Sequence, residues 1–189
     1  MVGVYVKDIS KALTDAGAKG TFFWNGNNCE PHSAEFRGNF TLIHCTDGCI
    51  YSADNVAGVK FAYGQGHMVA SHTWDHKDLS KLSSTEVDSE MSRVDLALER
   101  LIGVKPAFMR PPYGNYNDVV RQVAAARGQS LVTWDFDSGD STGSTAAQSN
   151  AAYDKLAESH PSTILALNHE VYGAQSLDLL DVRAHILTK

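Results

Sequence analysis

No stretch of this 189-residue chain approaches the roughly 18 consecutive apolar residues that a membrane-spanning helix needs. The opening MVGVYVKDIS also has no long apolar core of the kind a secretion signal carries. Basic residues are outnumbered, 16 Lys and Arg against 22 Asp and Glu, for a net charge of −6. That balance argues against nucleic acid or an anionic membrane as the main partner. Cysteine is scarce and odd in number: Cys29, Cys45 and Cys49. One loop disulfide plus a leftover thiol is the plainer reading and gives weak support for an oxidising compartment. A zinc knuckle drawing on Cys45, Cys49 and a nearby His32 or His44 is the lesser one. There is no HExxH, so a metalloprotease of that type is excluded. Internal repeats and linker-like stretches are missing too, which leaves one domain with a sizeable core.

What is present is an alternation of two periods. Apolar, β-branched and aromatic runs predict strands at Thr21–Trp24, His67–Ser71, Ala107–Arg110, Leu131–Asp137 and Thr163–His169. Helical spacing predicts helices over Lys7–Ala16, Asn55–Tyr63, Ser84–Ile102, Asp118–Ala126, Ala147–Glu158 and Leu177–Leu187. The strongest is SSTEVDSEMSRVDLALERLIG: a capping serine, early acids, apolar residues at Val87, Met91, Val94, Leu98 and Leu101, and a stop at Gly103. Strands alternating with helices predict an α/β protein built on a parallel sheet or barrel. In such folds chemistry collects at the carboxyl ends of strands. Here those ends read SHTWDH, MRPPYG, WDFDSGD and LALNHE.

Each motif has a plain and a functional reading. His72 and His76 stand four apart, which on a helical turn puts two imidazoles on one face, suited to Zn²⁺ or a similar ion. Exposed histidine pairs at that spacing also occur by chance. In MRPPYG the prolines and glycine are turn punctuation. They also fix a loop from which Arg110 can hold a carboxylate while a backbone amide near Tyr113 faces a developing oxyanion. WDFDSGD is either a solvated acidic turn or the source of a carboxylate that orients a histidine. His169, ending a buried-looking strand, is a satisfied core residue or a general acid. Four such ends on one sheet edge favour an active site.

Taken in order, AGAKGTFFWNGNN, SHTWDH, MRPPYGNYN, WDFDSGD and LALNHE resemble the NodB-homology polysaccharide deacetylases, and within them the fungal chitin deacetylases. The resemblance runs from Val6 to His185, apart from an interval near the cysteines. It implies an irregular (β/α) barrel and metal-assisted hydrolysis of N-acetyl groups on chitin or other N-acetylglucosamine polymers. It further implies that His72 and His76 bind a divalent metal, zinc or cobalt. Arg110 tethers the catalytic carboxylate, Tyr113 offers its amide to the oxyanion, and Trp134 and Leu167 line the acetyl pocket. His169 is the general acid, oriented by Asp140. An extracellular or cell-wall location is implied in the same way.

Three departures from the pattern alter these expectations. The family's first motif, a strand ending Thr-Phe-Asp-Asp-Gly-Pro, has no counterpart here, so the general base and the third metal ligand are missing. Losing even an outer-shell partner of a metal costs about ten- to a hundred-fold, and losing a general base roughly a hundred- to ten-thousand-fold more. Ser141 stands where the family has tryptophan, and the chain stops after HILTK where relatives continue through a last strand. A barrel incomplete at both ends and a weak or inactive enzyme are therefore expected. The alternative is a non-catalytic carbohydrate-binding protein using Trp74, Tyr113 and Trp134 as sugar platforms.

Residues 29–47 read as an insertion, either a loop of this chain's own or a retained intron. Cys29-Glu30 can be written with a GTGAG donor, and Cys45-Thr46-Asp47 with an acceptor AG. A transcript that codes continuously through Glu30 to Thr46 excludes the intron.

Overall fold

The computed structural model describes residues 5–27 and 48–170. Four short parallel strands form the main sheet in the order β1 (Thr21–Trp24), β2 (Met68–Ser71), β3 (Phe108–Met109), β4 (Ser130–Leu131). Two more, β5 (Phe136–Asp137) and β6 (Ala166–Leu167), pair with each other, again in parallel. The helices are α1 (Val6–Asp15), α2 (Ala53–Gly64), α3 (Ser84–Ile102), α4 (Asp118–Ala126) and α5 (Ala146–Glu158). Each strand of the main sheet is followed by a helix before the next begins, the connection parallel strands require. This is an α/β fold on parallel strands, and the described strands form part of a barrel.

The helices form where local chemistry says they should. Ser83 accepts a bond from the Glu86 amide while the Glu86 carboxylate takes the Ser83 amide at 2.9 Å, closing a capping box at the start of α3. Gly103 ends that helix in the left-handed conformation, φ 76°, which a residue with a Cβ adopts only at a cost. The buried face of α3 divides between two clusters. Val94, Ala97 and Leu98 join Val6, Ile9, Phe22, Trp24, Val59 and Val69 under α1 and α2. Val87 and Met91 join Leu79, Met109, Val120 and Ala124 under α4. Gly58 on α2 lets α1 approach closely: a Cβ there would lie 2.6 Å from Val6 and 3.3 Å from Trp24.

The sequence-based elements need adjusting in two places. The run predicted as one strand over Leu131–Asp137 is two ladders. The Val132 amide still donates to the Met109 carbonyl, but the Asp135 amide donates to Leu165, so the chain changes sheets at Thr133–Trp134. The strands predicted over Ala107–Arg110 and Thr163–His169 narrow to Phe108–Met109 and Ala166–Leu167, where ladder partners exist. The helix expected at Leu177–Leu187 and the whole of the expected insertion at 29–47 lie outside the described residues. So do Cys29 and Cys45; Cys49 is a buried free thiol. Asn27 and Cys49, which flank that interval, are bridge partners.

Candidate active site

The site grows out of the C-terminal ends of β2, β3 and β6. The Arg110 amide donates to the Ser71 carbonyl at 3.0 Å and the His72 amide to the Trp24 carbonyl at 2.8 Å, so the sheet hydrogen bonding runs past the strand ends. His72 Nδ1–H then donates to the Arg110 carbonyl at 2.6 Å, fixing a tautomer with Nε2 unprotonated. The His72 and His76 rings meet edge to face, centroids 4.8 Å apart, and Tyr113 lies on His76 in the same way at 4.9 Å.

His72 and His76 do come together, but not on a helical turn. The segment is an irregular loop in which Thr73 (φ 69°) and His76 (φ 55°) are left-handed, a cost each residue type pays only where its surroundings dictate it. Three anchors do so. The Asn25 side-chain amide donates to the carbonyls of His72 and Thr73. The amides of Gly26 and Asn27 donate to those of Thr73 and Trp74 at 3.1 and 2.7 Å. Glu90, 4% exposed on α3, accepts the Asp75 amide at 2.7 Å and meets the Lys77 ammonium at 3.2 Å. Sequence reasoning saw Glu90 only as an early acid of α3, because nothing in the spacing tells that the loop folds back onto it. Trp74 is committed to packing: its indole fills the space over Gly26, where a Cβ would lie 2.0 Å away, and Arg93 stacks on it at 4.1 Å. As a sugar platform it is therefore replaced by a structural role.

On the other side, both oxygens of the buried Asp140 hold His169. One takes its Nδ1–H at 2.7 Å and the other its backbone amide at 2.5 Å. His169 and Leu167 face a cavity of about 920 Å³ that His72, His76 and Arg110 also line. Arg110 is 7% exposed, with its guanidinium over the Phe23 ring at 4.3 Å and 5.7 Å from Trp134. No carboxylate tethers to it among the described residues, so the expected tether is not seen there. Trp134 rests on the loop at Gly114, where a Cβ would be 3.0 Å from the ring. Tyr113 is left-handed (φ 59°) and 65% exposed at the rim. Tyr113 and Trp134 thus lie beside His76 and Arg110, which line the cavity, while Leu167 lines it directly.

Burial pushes the His72 imidazole down to about 3, helped by neighbouring His76, and pushes His76 down to about 4. Both rings are neutral near pH 7, the state in which imidazole ligates a metal. Two oriented, neutral imidazoles suit a divalent ion as part of its donor set. Among the described residues no cluster of three His, Cys, Asp or Glu completes one, short of the three protein ligands a catalytic zinc normally has.

Two predictions follow from this geometry. Glu90→Ala removes the acceptor for a buried amide and the partner of Lys77, and is expected to cost about 1–3 kcal/mol of stability. Cross-peaks between the His72 and His76 rings in NMR spectra should weaken with it, whereas Glu90→Gln, which keeps one acceptor, should do less harm. Unchanged ring proximity in Glu90→Ala would show that the loop does not depend on Glu90. For pH, an unfolded His72 takes up its proton near 6.5 and the folded one only near 3. The stability is present above pH 6.5 and is lost as pH falls toward 3, by up to about 2 kcal/mol from His72 at pH 5. Melts of metal-free chain at pH 7.5 and 5.0 should differ accordingly, and His72→Gln should flatten the difference.

The polysaccharide deacetylase family model matches residues 3–132. The chitin deacetylase of Pestalotiopsis sp is 29% identical over 136 residues, 72% of this chain and 39% of that protein. The chitin deacetylase of Arthroderma benhamiae is 36% identical over 125 residues, 66% of this chain and 28% of that protein. The chain thus spans well under half the length of these relatives. The solved chitin deacetylase of Colletotrichum lindemuthianum superposes with a TM-score of 0.75 at 21% identity, over 97% of this chain and 77% of that one, a likeness of fold. With more than half of its residues inside the family match and its strand ends carrying the site described above, the chain belongs to the polysaccharide deacetylase family.

Proposed function

We propose that this chain carries the metal-dependent deacetylase site for N-acetylglucosamine polymers, chitin foremost, and that on its own it is a slow catalyst. The observation that carries this reading is the convergence of the Asp140–His169 pair and the His72–His76 pair on one cavity. His72 and His76 would supply two ligands to a zinc or cobalt ion. Such an ion, when bound, is a Lewis acid that polarises an amide carbonyl.

The chain's own groups have separable tasks. Asp140 holds His169 in one tautomer and orientation, with Nδ1–H committed to the carboxylate, so Nε2 is the atom that can carry a proton to a departing sugar amine. Leu167 lines the cavity and the Trp134 ring lies beside Arg110, together an apolar setting for an acetyl methyl. Tyr113 at the rim is positioned to offer its amide to the oxyanion and its ring to a sugar face. Among the described residues no carboxylate is placed to act as base and third ligand, which is why the rate is expected to be low. An extracellular or cell-wall setting fits a polymer substrate of this kind.

One observation favours a second reading, a carbohydrate-binding protein without turnover. The described donors stop at two imidazoles, while the rim keeps the exposed Tyr113 and half-buried Trp134.

The test is acetate release from N-acetylglucosamine oligomers by the purified 189-residue chain, with Zn²⁺ or Co²⁺ supplied. Release lost in both His72→Ala and His169→Ala is the expected result. No release from folded protein that still binds the oligomers would move the conclusion to the second reading.

A further inference from the structure

We infer that Arg110 is a receptor for a small free carboxylate, of the formate or acetate class, in the wall of the cavity it shares with His72 and His76. The guanidinium is nine-tenths buried and its Nε has no hydrogen-bond partner. Its side-chain hydrogen bond among the described residues is a single long one, from Nη2 to the Thr133 carbonyl at 3.4 Å. A guanidinium has five N–H donors in a rigid fork and stays charged. Burial lowers its pKa only to about 10, far above neutrality. A buried cation in this state is costly, and buried charges are generally paired.

The surroundings select the kind of anion. The Phe23 ring covers one face of the guanidinium at 4.3 Å, and faces stacked on aromatics leave the edge, with its N–H groups, as the route of approach. A planar fork is matched by two oxygens in one plane, as in a carboxylate, and not by a sphere such as chloride. The cavity is roomy, about 920 Å³ in all. Its described lining carries Lys19 and Arg110 against the single carboxylate of Glu170. Lys19 is exposed and bonded to the Gln65 carbonyl at 2.6 Å, whereas Arg110 is the buried cation of the described lining.

The inference concerns Arg110 and does not need turnover, so it can stand or fall apart from the deacetylase reading. A chain that binds formate but releases no acetate keeps one and retires the other.

The experiment is a formate titration of metal-free, ¹⁵N-labelled chain at constant ionic strength, with chloride as the balancing and control anion. The expected result is a saturable shift of the Arg110 Nε–H resonance at roughly millimolar formate, absent with chloride, and at least about tenfold weaker binding in Arg110→Met. A shift that rises linearly without saturating, or that chloride reproduces, overturns the inference. So does a formate-insensitive Arg110 signal, which would mean that a carboxylate of the chain itself already occupies the fork. If Arg110→Met does not fold, the formate and chloride titrations of the unaltered chain decide alone.

Discussion

The hydrogen bond from His72 Nδ1 to the Arg110 carbonyl ties together the two strand ends on which the site is built. It costs the fold nothing extra in backbone, because the Arg110 amide already pairs with Ser71 one residue before His72. A sheet register therefore becomes the orientation of an imidazole. The same residue that offers its carbonyl to His72 sends its guanidinium along the cavity wall. Moving β3 relative to β2 would displace the histidine and the cation together. A change of one register position would also turn every side chain of β3 to the opposite face.

The loop that follows illustrates how a fold sustains an unfavourable backbone. Thr73 and His76 sit in a region where residues with a Cβ are strained. The compensation is spread over the turn after β1, the buried carboxylate on α3 and the indole of Trp74. Each is a modest contribution of the order of a single hydrogen bond or a packed ring. Together they hold two imidazoles edge to face at a spacing that neither rotamer preference nor helical geometry would select. The Asp140–His169 pair uses a different device: one carboxylate with both oxygens on one residue, its position fixed by the WDFDSGD turn and the β5–β6 ladder.

How much of this was legible in the sequence follows from the range of each interaction. Helix α3 could be read to the residue, since its capping box and Gly103 stop act within four positions. The strand ends were legible as neighbours because parallel sheets bring them to one edge, and His72, His76, Arg110 and His169 do line one cavity there. What could not be read is what depends on distant segments meeting. The switch of sheets at Thr133–Trp134 is decided by Leu165, some thirty residues on, taking the Asp135 amide. Glu90 looked like any acid on a helix, and Trp74 like a surface aromatic, until the loop closed over both. The i, i+4 spacing of the histidines suggests a helical turn, whereas the two rings meet on an irregular loop.

The electrostatics of the cavity bring these strands of argument to one point. Two imidazoles kept neutral by burial and a histidine held by its own carboxylate leave the buried Arg110 guanidinium as the group of this wall that calls for negative charge. An active site usually balances such a wall with carboxylates that act as base and ligand. Here both oxygens of Asp140 are given to His169, and Arg110 is left with one long side-chain hydrogen bond among the described residues. The two halves fail independently. Under the proposed function, proton delivery would rest on the local Asp140–His169 clamp, and activation of a water on a carboxylate that the described residues do not place. On that proposal, and only on it, slow turnover is the physical expectation.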